Sequence, residues 1–396
     1  MLMNNVSKYH LITFLMNLSF TLPIWVIFGT DYLGLNHLQA YWLGTFFWLV
    51  SAVFEVPTGS WADRFGRKKV FSWGVGVGIA SSILFILTRN FYVLMISQVA
   101  AGFALALKSG PLTSLIYDWL KEQKRENEFL SITSNNLSYL FVGRVIGGAL
   151  GGIAYTMHPT LPYILLIIAQ IIALVIEQGL TESRHLTEEP LSDKTVIRES
   201  IINFIRLMKK FDFALVMYAS TAFTFLANML WFAYQPYFQS LGFDGAIIGL
   251  LYIPASLASA LGSQIIKRIM PKIHTSWLYV IMLGVTGTVG LMLNSLNIWI
   301  AMLAIVFLAI VFGFDNPATA SFFQQHYPSK TRATMSSIES LIGSLVLVTT
   351  SLMTGYFLDK HSLNTLFVFV MSITFASAVL VGVASLRLSN NKPVAK

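Results

Sequence analysis

The chain has 396 residues, 55% of them hydrophobic and 11% charged, with a mean hydropathy of +0.68, whereas a soluble domain carries about 25% charged residues. An ordinary soluble fold is excluded and a polytopic membrane protein is implied. With no cysteine and seven histidines that never show H-x-x-x-H spacing, disulfides, thiolate chemistry and a metal site are not expected, and the net charge of +8 has to be explained by where the cations lie.

In chain order, apolar segments fall at 10–30, 38–62, 70–88, 91–117, 129–157, 161–180, 212–238, 243–266, 276–294, 298–324, 334–357 and 364–386. Each is long enough, at about 20 residues per crossing, to span a bilayer. The expected fold is all-α, with twelve transmembrane helices, called spans 1 to 12 below, and both termini on one side. Only Lys8 precedes span 1 as a cation, and the apolar run exceeds the roughly 7–15 residues of a signal-peptide core, so a cleaved leader is not expected.

Of the 26 Lys and Arg residues, 22 fall on one face, in the N-terminus, the loops 2–3, 4–5, 6–7, 8–9 and 10–11, and the C-terminus. The other face has Arg89 and Lys360, while Lys108 and Arg144 lie inside spans. By the positive-inside rule both termini are cytoplasmic, in a cell membrane. The basic balance is thus a topology signal, and nucleic acid is not an expected partner.

Residues 181–211 form the one long polar stretch, a linker followed by an amphipathic pattern from 193 to 210 that is expected to lie on the membrane surface. It separates a six-span half, 1–180, from a second, 212–396. The halves repeat one another. Gly59-Ser60 corresponds to Gly262-Ser263, Pro111 to Pro317, and Ser131-Ile132 to Ser337-Ile338. Two pseudo-symmetric six-helix bundles with a substrate site between them is a transporter architecture.

The loop between spans 2 and 3 carries the most specific pattern. Gly59, Asp63, Arg64, Gly66, Arg67 and Lys68 fit G-x-x-x-D-R-x-G-R-K, which resembles the signature loop of the major facilitator superfamily of secondary transporters. In the second half the copy is degraded, with Ile266 where Asp63 would stand. Ser109-Gly110-Pro111, Tyr117-Asp118 and Arg332-Ala333-Thr334 are similar to bacterial members associated with drug or metabolite efflux. Two landmarks depart from the family: Gln98 stands where proton-coupled members have arginine, and Gly148 replaces the proline of the antiporter pattern within Gly147–Gly152. The resemblance implies alternating access, a cavity lined by spans 1, 4, 7 and 10, a small-molecule substrate, protons as coupling ion, and a monomer. It also implies a cytoplasmic latch. Asp63 is expected to accept from the start of span 11 near Arg332, and Arg64 or Arg67 to reach Asp118.

Gly143, Gly147 and Gly151, with Gly148 and Gly152 beside them, form a ridge on span 5 that admits a close helix neighbour. Charges inside spans cost on the order of 3 kcal/mol each at the bilayer centre. Glu55, Lys108 and Asp315 each lie 17 residues from an outer span end and so share a level, with Arg144 near the middle of span 5. Such charges are expected to pair or to face water. Asp315 is favoured over Glu55 as proton carrier because span 10 is expected to line the cavity. There, Trp25, Trp231, Tyr234, Gln98 and Asn316 are the candidates for substrate contact, and the aromatic faces suit an apolar or aromatic body that also carries a charge.

No G-x-S-x-G and no phosphate-cradling G-x-x-x-x-G-K-[ST] occurs, so neither an enzyme nor a nucleotide cofactor is expected. The expected function is proton-coupled efflux of amphipathic drugs or metabolites. Uptake or facilitated diffusion of a sugar or organic ion is the alternative, and a non-transporting receptor or assembly factor a third.

Overall fold

The computed structural model describes residues 4–109, 111–182, 193–270, 272–295, 297–327 and 332–390. Among them there is no strand, as expected where every backbone polar group must be satisfied within hydrocarbon. Ten helices are long and apolar enough to cross a membrane. Outside that set are span 1, which is broken, and span 2, the helix His37–Phe65.

Span 1 differs from the single segment expected at 10–30. A helix Asn5–Met16 ends at Asn17, whose side-chain amide donates to the Thr13 carbonyl at 2.9 Å. Helix resumes at Trp25–Ile27 and passes into a wider π turn, Phe28–Tyr32. Pro23 in between lacks an N–H and disfavours helix in the residue before it. Span 2, by contrast, starts on a capping box: Asn36 accepts from Gln39 N at 2.8 Å and Gln39 returns a bond to Asn36 N. It runs through Pro57, beside which the Thr58 hydroxyl donates to the Phe54 carbonyl and to Ala106 of span 4.

The chain divides into two compact units. The first comprises Met1–Glu188 together with Phe238–Ile253, the C-terminal end of span 7 and the start of span 8. Its core joins Tyr9, Ile12 and Leu15 of span 1, Phe71 and Val75 of span 3, Leu115 and Ile116 of span 4, and Ala169 and Ala173 of span 6. A second cluster holds Ile24, Phe28, Leu43, Phe85, Leu94 and Tyr163.

The second unit comprises Glu189–Tyr237 and Pro254–Lys396. Spans 9 and 12, Thr275–Leu293 and Leu363–Asn390, pack along most of their length, and the Ser385 hydroxyl donates to Ser276 at 2.8 Å. Helix Asp193–Met208 belongs to this unit. It buries Phe204 and Leu207, the former edge-on to Phe213 of span 7, and leaves Ile201, Ile202, Ile205 and Met208 exposed.

The internal repeat is visible as one packing device used twice. A Cβ on Gly102 of span 4 would stand 2.3 Å from the Phe47 carbonyl oxygen of span 2, and one on Gly262 of span 8 would stand 2.3 Å from that of Ile310 in span 10. In both units the same pair of spans meets backbone to backbone.

Candidate functional site

The signature loop is built from Gly66, which caps span 2 and opens span 3 with φ +98°, a conformation that glycine alone adopts readily. The first N–H groups of span 3 need acceptors. Glu182, just past the C-terminal end of span 6, provides one: its carboxylate accepts from Arg67 N at 2.6 Å and Lys68 N at 3.3 Å, a favourable place for a negative charge. The exchange is reciprocal. Lys68 Nζ donates to the Gln178 and Leu180 carbonyls at 2.7 and 3.2 Å, closing the C-terminal end of span 6. Lys8 of span 1 donates to Gly179. Arg67 also pairs with Asp118 at the C-terminal end of span 4, while Arg64 lies 5.4 Å over the Phe65 ring. Gly59 is exposed. The side chains of Asp63 and Arg332 lie outside the described residues.

The span 5 ridge serves two neighbours. Cβ atoms on Gly143, Gly147 and Gly151 would stand 2.7, 2.3 and 1.9 Å from backbone atoms of Phe14, Ser19 and Phe20. The broken part of span 1 is thus seated directly on helix backbone. One residue further round, a Cβ on Gly148 would meet the Tyr252 ring at 2.7 Å, and one on Gly152 would lie 2.3 Å from the Gly245 carbonyl. That second seam, with a hydrogen bond from Gln239 to Asp31, joins Phe238–Ile253 to the first unit.

The intramembrane charges find different surroundings. Asp315 of span 10, Ile298–His326, accepts a hydrogen bond from the Tyr279 hydroxyl of span 9 at 2.9 Å, and the Glu339 charge of span 11 acts on both. Glu339 in turn accepts from the Tyr327 hydroxyl at 3.0 Å. Lys108, at the end of helix Phe91–Ser109, is half-buried. Its stem lies across Gly74 and its ammonium beside Gly78, where Cβ atoms would stand 2.8 Å from Cγ and 3.4 Å from Nζ. Glu55 and Arg144 are exposed, and Arg144 acts on Tyr252.

Among the aromatics, Trp231 and Tyr234 are in contact, with ring centroids 5.1 Å apart, and Phe312 of span 10 meets Trp231 edge-on at 5.8 Å. Tyr234 is almost fully buried, whereas Trp231 is half-buried. In the first unit Trp25 stands edge-on to Tyr41 at 5.1 Å. Gln98 is half-buried and Asn316 exposed.

Four polar residues escape the sequence reading. Glu339 and Glu177 are carboxylates inside spans besides Glu55 and Asp315; Glu177 is wholly buried and accepts from Ser72 and Gln178 at 2.9 and 2.8 Å. Gln170 is 5% exposed on span 6, and Tyr279 bonds Asp315. The acids could have been found by counting charges up to the span ends. Gln170 and Tyr279 gain importance only from what they face. No group of His, Asp and Glu suited to a metal occurs among the described residues.

The sequence profile of the Major Facilitator Superfamily matches residues 10–345 and 216–395. An uncharacterized MFS-type transporter of Bacillus subtilis (strain 168), YxaM, is 22% identical over 365 residues, covering 88% of this chain and 87% of that one. The quinolone resistance protein NorA of Staphylococcus aureus (strain Mu50 / ATCC 700699) is 24% identical over 152 residues, 38% of this chain and 39% of its own. In fold, the nucleoside transporter NupG superposes with a TM-score of 0.74 at 12% identity, covering 96% of this chain and 99% of that one. The POT family transporter PepTSo superposes with a TM-score of 0.77 at 10% identity, covering 98% and 99%.

Proposed function

The chain belongs to the Major Facilitator Superfamily of membrane transporters, and from that premise we propose that it exports amphipathic drugs or metabolites across the cell membrane in exchange for protons. The observation that carries this reading is the Asp315 constellation. A carboxylate at mid-span, held by the Tyr279 hydroxyl and close enough to Glu339 for their charges to interact, is a group able to take up and release a proton as its surroundings change. Export of aromatic compounds is favoured by the partial likeness to a quinolone resistance protein and by the Trp231, Tyr234 and Phe312 cluster on spans 7 and 10. Direction follows the ion gradient, because alternating access is itself reversible.

Everted membrane vesicles containing the protein test the proposal. Under an imposed inward-acid pH gradient they are expected to take up a fluorescent quinolone, and Asp315→Asn is expected to lose the gradient-driven component while folded protein is still recovered. Gradient-driven uptake that survives in Asp315→Asn, Glu339→Gln and the double variant would remove these acids from the proton path.

A further inference from the structure

We infer that Lys108 and Gln170 form a binding site for an organic anion, so that the transported molecule carries a carboxylate or similar oxyanion on its apolar or aromatic body. The inference rests on the transport reading above and gives the charge of the substrate its sign.

The first observation is an uncompensated cation. The Lys108 ammonium reaches the face of span 3 cleared by Gly74 and Gly78, halfway through the bundle. Among the described residues no ion pair or hydrogen bond to it is seen, and burial is what acts on it. Three carboxylates of the first unit have other partners: Glu177 Oε2 has Ser72 and Gln178, Asp118 has Arg67, and Glu182 has the start of span 3, while Glu177 Oε1 is buried without a hydrogen bond. Leaving a charge unpaired inside a bundle is costly, and intramembrane charges ordinarily face a partner or a ligand path.

The second observation is independent. Gln170 of span 6 is 5% exposed, and its Oε1 is buried without a hydrogen bond, which a buried amide rarely tolerates. That oxygen and the Lys108 ammonium converge: a Cβ on Gly78 would stand 3.0 Å from one and 3.4 Å from the other. A half-turn of the amide exchanges its oxygen for its N–H donors. Lys108 and Gln170 then present ammonium and amide donors to one point, suited to the two oxygens of a carboxylate. Glycine at 78 lets both side chains lie directly against span 3.

Thermal unfolding of the purified protein tests the site without measuring flux, so the inference and the transport reading can fail separately. Three compounds of one shape serve as probes: 1-naphthoate, 1-naphthamide and 1-naphthylmethylammonium. Naphthoate alone is expected to raise the midpoint, Lys108→Gln to weaken its apparent affinity at least tenfold, Lys108→Arg to retain part of it, and Gln170→Leu, which leaves the cation in place, to weaken it several-fold. Without ligand, Lys108→Gln is expected to unfold no lower than wild type, since it removes an unpaired charge. Absence of a naphthoate shift, an equal shift from the ammonium compound, or an unchanged shift in Lys108→Gln and Gln170→Leu would overturn the inference. So would a large ligand-free loss of stability in Lys108→Gln, because that would reveal a partner within the protein.

Discussion

Gly66 and Glu182 show how single residues hold one end of the first unit together. At φ +98° an L side chain is strained by about 1–3 kcal/mol, and a Cβ there would also stand 3.4 Å from both Glu182 oxygens. Gly66→Ala is therefore expected to lower the thermal midpoint clearly. Glu182→Gln should cost less, about 0.5–1 kcal/mol, since it removes only the charge at the start of span 3. Calorimetry on the detergent-solubilised variants checks the order, and a Glu182→Gln loss larger than that of Gly66→Ala would contradict it. The turn at Gly66 was legible in the sequence, because a glycine among four cations between two apolar runs has few other uses. Glu182 was not legible. It sits in a polar stretch that looks like linker, and its role depends on where the end of span 6 returns to span 3.

At the scale of elements, the glycines of span 5 were legible as a ridge, but not what they seat. Hydropathy passes smoothly over Asn17 to Ile24, so span 1 looks continuous; the break depends on Pro23, on the Asn17 side chain and on a neighbour flat enough to receive bare backbone. Gly147→Leu or Gly151→Val would drive side-chain atoms into backbone that cannot retreat, and overpacking of this kind costs roughly 1–3 kcal/mol or more. Gly76 of span 3 has nothing within 4 Å of its Cβ position, so Gly76→Ala should be neutral or stabilising by up to about 1 kcal/mol through helix propensity. Comparable losses in Gly151→Val and Gly76→Ala, measured as thermal midpoints, would show that the ridge is not a seat. Counting from span ends places Lys108 and Asp315 17 residues along their helices. What they face was not legible, because Gln170 and Tyr279 lie on other spans, in a register that single-sequence periodicity does not fix.

For the whole molecule, the absence of cysteine makes topology directly measurable. Arg89→Cys or Lys360→Cys should react with an impermeant maleimide added to intact cells, and Lys69→Cys or Lys124→Cys only after permeabilisation. The reverse pattern would invert the orientation assigned from charge. The central claim is that a proton gradient drives net movement of an amphipathic organic solute through this chain, and proteoliposomes holding the purified protein test it most directly. With an imposed pH gradient, a fluorescent quinolone is expected to accumulate above its external concentration, and a protonophore to collapse that accumulation. Equilibration to equal concentrations at the same rate with or without the gradient would contradict the account.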